Sequence, residues 1–217
     1  MTVETTELQV KVNQDAPRAG GEGAYLDIKG SKRGELCIID FYTQMYLEQR
    51  AYNVRIGSVS APVTSDTAIT TAEADMCADV VLGLTLIPTY FNIAINLMTG
   101  TANEVGFKSN AAVSTGGTVF TPVPLYIGGA AALSTARAQA TGACTVADDA
   151  VTTTREIAAW ANGIAAGAYT TTYQYKPRMP HVVVGPGGVY VQVGATSTGC
   201  EYFAAFEYIE IRTTNID

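Results

Sequence analysis

The chain carries few charged side chains. Asp, Glu, Lys and Arg make up 15% of its 217 residues, against about 25% in a typical soluble domain. Lys and Arg number 13 against 20 Asp and Glu, for a formal charge of −7. Nucleic-acid binding needs clustered cations to neutralise phosphates. The composition therefore argues against direct nucleic-acid binding, and a charge-poor surface favours burial against neighbouring copies.

In the glycine-rich N-terminal region, Lys29, Lys32 and Arg33 lie near Gly30 and Gly34. We interpret this cluster as a solvated turn.

Histidine is almost absent, since His181 is the only one in the chain. It lies between Pro180 and the apolar run Val182 to Val184, a position typical of a polar residue at a strand entry. No GxSxG motif or other nucleophile context accompanies it. The sequence therefore predicts no catalytic residue, and we do not expect an enzyme.

Paired carboxylates and metal motifs are also lacking. Asp148 and Asp149 are adjacent, and Glu73, Asp75 and Asp79 form a loose group, but the spacing of an EF-hand is absent. Solvated loops are the preferred interpretation, while Ca²⁺ held between subunits stays open. Glu207 and Glu210 have opposite parity in a predicted strand and face different sides. No metal site and no cofactor are predicted.

The four cysteines form no CxxC pair. Cys37 falls in an apolar run and is interpreted as a small buried side chain. Cys77 is the second cysteine in chain order. Cys144 and Cys200 lie beside glycines in turn-like surroundings, and whether these two pair stays open.

Leader and membrane signals are missing as well. Residues 1–12 have no apolar core of a signal peptide, and no Asn-x-Ser/Thr sequon occurs. The longest apolar stretch, 80–98, is interrupted by Pro88 and by polar residues, so it predicts strands and no membrane span. We expect synthesis inside the cell.

Strand patterns dominate what is present. The segment from His181 to Ile211 predicts three strands joined by two turns, with Val189, Val191 and Val193 alternating with polar or small residues. The first turn is Gly185-Pro186-Gly187-Gly188. It is not a phosphate-binding loop, because a strand and not GK[ST] and a helix follows it.

Further strands are predicted along the chain, separated by Gly, Ser, Thr and Pro clusters. Residues 58–73 and 128–153 are predicted as loops, the latter as a long surface excursion. Residues 154–166 fit a helix with Ile157, Trp160 and Ile164 on one face, or a strand, and both stay open. The remaining predicted strands are 7–12, 25–28, 36–47, 52–56, 78–86, 90–98, 104–107 and 119–127.

These patterns predict an all-β fold, an antiparallel sandwich or barrel, with one short helix at most. We expect residues 1–34 to form an N-terminal arm with a first strand, and residues 35–217 to form one domain. The many tyrosines favour subunit contacts over sugar stacking. Those considered are Tyr169, Tyr173, Tyr175, Tyr190, Tyr202 and Tyr208.

Two blocks of sequence carry a family resemblance. The first runs from Leu84-Thr85-Leu86-Ile87-Pro88 through residues 92–97 to 100–105, and the second from residues 184–188 through 203–210. They resemble the middle and closing strands of jelly-roll coat proteins of bacterial viruses, over about a quarter of the chain. The resemblance implies a jelly roll whose subunits cluster, often as trimers or pentamers, in a shell. It implies no catalytic residues.

The leading hypothesis is therefore a virion structural protein, a capsid or capsid-associated subunit made in the host cytoplasm. Its expected partners are identical subunits and other virion proteins, reached through the sandwich faces and the N-terminal arm. The alternative is a trimeric receptor- or carbohydrate-binding fibre or spike domain, with Trp160 or tyrosines exposed in a groove.

Overall fold

The computed structural model describes most of the chain, and all structural statements concern this part. The described residues are 10–11, 25–26, 40–70, 72–98, 102–139, 144–146, 154–162, 171–177, 179, 181–195 and 199–215. Within them, helix α1 spans Phe41–Leu47 and a short 3-10 helix spans Thr213–Asn215. All other regular structure is β-strand.

The strands vary from two to fifteen residues. They are β1 (Val10–Lys11), β2 (Tyr25–Leu26), β3 (Ala51–Ile56), β4 (Val63–Thr64), β5 (Glu73–Ala74), β6 (Met76–Val80), β7 (Leu84–Met98), β8 (Asn103–Asn110), β9 (Thr115–Gly116), β10 (Thr118–Phe120), β11 (Val123–Pro124), β12 (Thr135–Ala138), β13 (Cys144–Thr145), β14 (Thr154–Asn162), β15 (Thr171–Tyr175), β16 (Val183–Val184), β17 (Gly187–Ala195) and β18 (Cys200–Arg212).

Two antiparallel sheets form a sandwich, which confirms the predicted all-β class. The six-stranded sheet has the order β10-β12-β6-β17-β8-β14. The seven-stranded sheet has the order β11-β3-β18-β7-β15, with β4 also paired to β18 and β16 to β7. A three-stranded sheet, β5-β13-β9, and the β1-β2 pair are separate. The predicted division into arm and domain stays a prediction.

The core lies between the two large sheets and is filled by alternate residues of each strand. From β17 it receives Val189, Val191 and Val193, which are buried as their period of two predicts. Aromatic rings join the sheets: Phe107 of β8 stacks on Phe91 of β7 with centroids 4.9 Å apart. Burying a large apolar side chain contributes roughly 1.5–3 kcal/mol. These strands are therefore held by packing as well as by their hydrogen bonds.

The outer face of β17 is covered by a third layer. Tyr190 packs in a small cluster with Cys77 and Cys144, and the Gln192 amide donates to the carbonyls of Thr70 and Glu73, each at 2.7 Å. All nine residues of β17 are consequently buried. The three-stranded sheet and the neighbouring Thr70 therefore cover the outer face of β17, while β8 and β14 keep exposed residues on the same side.

Strand β7 is continuous through Pro88, which corrects the predicted pair of strands meeting there. Tyr208 pairs with Pro88 and Glu207 with Tyr90, so Thr89 is an extra residue in a β-bulge. The chain turns earlier, at residues 81–83. Pro88 fits inside a strand because β15 and β16 pair with β7 only on either side of it.

The structure corrects one predicted strand and decides between helix and strand for a second segment. Residues 41–47 are helical although a strand was predicted, because Asp40 caps the segment and only Met45 is buried. Residues 154–162 form β14, so the helix alternative is wrong there, and residues 163–166 lie outside the described part. A register shift at Ile157 places Ile157 and Trp160, three residues apart, against the core. Because of this bulge, two core-facing residues of the strand lie three positions apart, a spacing that is also typical of one face of a helix.

The region between β8 and β14 also departs from prediction. Residues 119–127 were expected to be one strand, but β10 and β11 belong to different sheets and Pro122 lies between them. Residues 128–153 were expected to be a surface excursion. Within them, β12 pairs with β6 and Ala136 is fully buried.

Candidate interaction surface

One end of the sandwich concentrates exposed apolar side chains, and we call it the apolar end. Leu82 is 80% exposed and Ile127 96%. Side chains this exposed do not contribute to the core of a single copy, so core packing does not explain why these positions are apolar. The apolar end consists of Phe41, Tyr42, Tyr46, Leu47, Val81, Leu82, Tyr126, Ile127, Leu133, Val182 and Val184.

Backbone hydrogen bonds bring separate segments together at this end. The N–H of Gly185 donates to the carbonyl of Leu84 at 2.8 Å, joining the turn after β16 to the start of β7. The N–H of Thr213, just after β18, donates to the carbonyl of Gly83 at 3.0 Å. The exposed Val81 and Leu82 are thus held on an anchored turn.

The segment before β12 is fixed by a carboxylate. Glu210 of β18 accepts the N–H of Leu133 at 3.0 Å and the N–H of Ser134 at 2.7 Å. Ser134 in turn hydrogen bonds the Tyr208 hydroxyl at 2.6 Å. Leu133 itself remains exposed. The Glu210 carboxylate therefore orders the loop that presents this side chain.

Helix α1 lies on the outer side of the seven-stranded sheet at the same end. Met45 packs into a cluster with Ile87, Ile209 and Ile211. The Asp40 carboxylate accepts the N–H of Thr43 at 3.1 Å, which satisfies a free donor of the first turn. One buried side chain holds the helix, so its aromatic residues point away from the core.

A groove of about 540 Å³ runs beside α1. Tyr42 and Tyr46 of α1, Tyr90 of β7 and Pro177 contribute to its lining. Glu207 of β18 also lines the groove, and burial raises the pKa of its carboxyl.

A cation lies over one ring of this groove. The Lys176 ammonium is 5.4 Å from the centroid of the Tyr90 ring, a distance that allows a cation–π interaction. The groove therefore combines aromatic surface with one carboxyl and one ammonium group.

The only histidine contributes to structure. His181 Nε2 lies 2.7 Å from the Ser109 hydroxyl oxygen, and the side chain is half-buried. Burial lowers the pKa of the imidazole, and the charge of Arg155 adds to this effect. A contact between His and Ser is by itself not a nucleophilic triad, which also needs a carboxylate that orients the ring. His181 connects the segment before β16 to β8.

The carboxylate group of Glu73, Asp75 and Asp79 is not a solvated cluster as predicted. Asp75 and Asp79 are buried, while Glu73 is exposed. Asp79 accepts the N–H of Ser114 at 3.0 Å and also its hydroxyl. Gly188 makes room for this carboxylate, because a Cβ there would collide with it. Asp148 and Asp149 lie outside the described residues.

The tyrosines singled out in the sequence are mostly in the core. Tyr190, Tyr202 and Tyr208 are fully buried, and Tyr173 and Tyr175 pack against the core from its margin. Trp160 stacks between Phe91 and Tyr173, with centroids 5.6 and 5.8 Å away. The subunit-contact interpretation is wrong for the three buried rings. Tyr169 lies outside the described residues.

Two of the exposed tyrosines that the sequence patterns did not single out, Tyr42 and Tyr46, belong to α1. A helix start was readable from Asp40, an N-cap residue, followed by Tyr42 and Tyr46 at the i, i+4 spacing of one helix face.

Cys144 and Cys200 do not pair. Both are free and buried, Cys144 in the cluster beneath the three-stranded sheet and Cys200 in the main core. Cys37 and the cations Lys29, Lys32 and Arg33 lie outside the described residues.

Among the residues described, no group of three or more His, Cys, Asp or Glu side chains is placed to hold a metal ion. The same part of the chain contains no helix with the length and apolar character needed to cross a bilayer. Comparison with protein-family models found no match to this chain, and a search of curated proteins found no similar sequence.

Proposed function

We propose that the chain is a virion structural protein, a capsid or capsid-associated subunit of a bacterial virus that assembles with copies of itself. It is made in the host cytoplasm and located in the virion, where its partners are identical subunits and other virion proteins. The observation that carries this proposal is the apolar end. Eleven exposed apolar or aromatic side chains at one end of a charge-poor sandwich are suited to a contact with another subunit.

The strand order supports the jelly-roll assignment. Eight strands, numbered here in chain order, are β3, β6, β7, β8, β14, β15, β17 and β18. In these numbers the seven-stranded sheet contains the order 1-8-3-6 and the six-stranded sheet the order 2-7-4-5. Two interleaved Greek keys of this kind define a jelly roll, an architecture that viral capsid domains use. Because a fold alone does not assign a function, the apolar end remains the decisive observation.

The test places a charge in the apolar end. Leu82→Asp and Ile127→Asp leave the core untouched, because both side chains point into solvent. The matched control is Val59→Asp, since Val59 is 74% exposed in the turn after β3, at the opposite end of the sandwich. Mass photometry and electron microscopy would measure the oligomers.

We expect wild-type protein and Val59→Asp to assemble alike, and the two apolar-end variants to assemble at least about tenfold more weakly, the effect of about 1.4 kcal/mol. A wild-type protein that stays monomeric would overturn the proposal. So would equal loss of assembly in all three variants, since that result would point to a general effect of added charge.

The N-terminal arm is the second contact that we propose. The β1-β2 pair forms a sheet separate from the two large sheets, so deletion of residues 2–22 should leave the domain folded. We expect unchanged circular dichroism and impaired assembly by electron microscopy. Intact shells or oligomers from the truncated protein would contradict this role of the arm.

The groove beside α1 favours a second candidate, a trimeric receptor- or carbohydrate-binding fibre or spike domain. Tyrosine rings offer flat apolar surface for a sugar face, and Glu207 and Lys176 offer hydrogen bonds to hydroxyl groups. Trp160, stacked against the core, is not the platform that the sequence suggested.

A glycan array separates the two functions. Binding that is lost in Tyr46→Ala and Tyr90→Ala, and kept in Tyr126→Ala outside the groove lining, would favour the saccharide site. If the protein assembles and binds no glycan, only the structural role would remain supported.

A further inference from the structure

Two cysteines meet beneath the three-stranded sheet. Cys77 lies on β6 of the six-stranded sheet and Cys144 on β13 of the covering layer. Both are completely buried in the cluster formed with Ala74, Val146 and Tyr190. The two thiols are neighbours in this cluster, and no disulfide joins them.

The surroundings hold both sulfurs in place. The Cys77 Sγ lies 2.9 Å from the Ser114 hydroxyl oxygen. Cys144 lies against Gly117, where a Cβ would come within 2.5 Å of its Sγ. A larger residue at position 117 would therefore displace Cys144, and the positive φ of +63° at Gly117 also favours glycine.

The two thiols differ in acidity. The hydrogen bond with Cys77 lowers the pKa of Cys144, whereas the same bond and burial raise the pKa of Cys77. Cys144 also lies on β13, a two-residue strand of the covering layer, and becomes accessible first when that layer opens. Since the thiolate is the attacking form, Cys144 is therefore the first nucleophile and Cys77 the resolving thiol.

We propose that Cys77 and Cys144 are a redox-active pair that a low-molecular-weight disulfide oxidises to a bond between β6 and β13. This inference concerns the folded subunit and does not rest on the proposed function. It identifies a site of reversible oxidation that fastens the covering layer to the sandwich.

The exchange takes two steps. The Cys144 thiolate attacks one sulfur of the small disulfide, whose S–S bond breaks and releases a thiolate that takes up the proton of Cys144. Cys77 then gives up its proton and attacks the Cys144 sulfur of the mixed disulfide. The protein S–S bond forms as the second small thiol leaves with that proton. The protein loses two electrons, and the small disulfide gains them.

Because both sulfurs are buried, the reagent reaches them only when β13 separates from the sandwich. This strand has two residues, paired to β5 on one side and β9 on the other, so its opening breaks few hydrogen bonds. We therefore expect slow oxidation of the folded protein. In a reducing cytosol the pair stays as thiols, and outside the cell it closes.

The test uses reduced full-length protein incubated with oxidised glutathione. Of the four cysteines, we expect two to disappear in a thiol count under denaturing conditions, and peptide mapping to find Cys77 joined to Cys144. The midpoint of thermal unfolding should rise by about 5–10 °C, because the new bond restricts the unfolded chain.

Variants provide the controls. Cys77→Ser and Cys144→Ser should lose both the cross-link and the thermal shift, while Cys200→Ser, also buried but in the main core, should keep both. A glutathione adduct on Cys144 without closure, a cross-link to Cys37 or Cys200, or four intact thiols would overturn the proposal. Mapping of the wild-type protein decides the matter even if a serine variant fails to fold.

Discussion

The Tyr202 hydroxyl donates to the Asp75 carboxylate at 2.7 Å, with both side chains buried. The other oxygen of Asp75 accepts the N–H of Val193 at 2.7 Å. Tyr202 belongs to β18 and Val193 to β17, so one carboxylate connects the two large sheets. Burial raises the pKa of Asp75 to about 7.

The first prediction concerns pH. The folded pKa of Asp75 exceeds its unfolded value of 3.8, so the folded state binds the proton more tightly. The stabilisation from this proton is complete below about pH 4 and is lost as pH rises through about 7. For this single group the loss is on the order of 3–4 kcal/mol. Urea unfolding at several pH values should show this decline for the wild type.

Asp75→Asn should flatten that decline, because an amide does not titrate in this range. Glu156→Gln, at an exposed position of β14, is the matched control and should keep the wild-type slope. An unchanged slope in Asp75→Asn would show that other groups carry the pH dependence.

The second prediction concerns the partner of Asp75. Tyr202→Phe removes the hydroxyl and leaves the ring, so an acceptor oxygen is left without its donor. We expect a loss of about 1–3 kcal/mol in the free energy of unfolding. The loss should be larger at pH 8, where the carboxyl is ionised, than at pH 5. Equal losses at both values would mean that Asp75 does not ionise in the folded protein.

The third prediction tests the aromatic contact between the sheets. Phe107→Ala leaves a cavity where the ring contacts Phe91 and Phe206, and should cost about 3–5 kcal/mol. Val119→Ala, at an exposed position of β10, should change the free energy of unfolding by less than about 0.5 kcal/mol. Chemical denaturation measures both, and a small effect in Phe107→Ala would contradict the packing described for the core.

The fourth prediction concerns the helix at the apolar end. Hydrogen bonds from the Thr43 side chain and backbone lower the pKa of Asp40. Asp40→Ala removes the cap, so amide hydrogens of α1 should exchange faster. Asp40→Asn keeps an acceptor at the same place and should protect α1 nearly as well. Equal exchange in wild type and Asp40→Ala would mean that Met45 packing alone holds the helix.

The sequence was most informative where alternation runs uninterrupted. The closing strands are an example, since β17 and β18 follow the predicted segment from His181 to Ile211. Prediction failed at bulges, because an extra residue changes which side chains face the core. Ile157 of β14 is such a residue, and its bulge gives the strand a spacing that also fits a helix. At β7 the prediction failed at Pro88, because a proline that cannot donate to the ladder was expected to mark a strand corner. The strand continues through Pro88, with Thr89 as the extra residue.

The candidate site was less predictable, because exposure at the apolar end depends on tertiary contacts. Leu82 and Val80 are both aliphatic and two residues apart, yet Val80 is fully buried while Leu82 is exposed. Composition predicted a charge-poor surface suited to contacts with neighbouring copies, but it did not predict where on the molecule that surface lies. The turn between β6 and β7 is what brings Leu82 to the apolar end. The contact between Cys77 and Cys144 also depends on tertiary structure, because no periodic sequence pattern predicts the three-stranded sheet that covers them.

The covering of β17 by the three-stranded sheet changes the shape of one side of the sandwich. A sandwich normally offers two broad flat sides, and here the chain itself covers the middle of one of them. Glu104 of β8 and Glu156 and Ala159 of β14 stay exposed on that same side. Any partner that packs there therefore meets a stepped surface, with the covering layer standing above the strands beside it, and not a flat sheet.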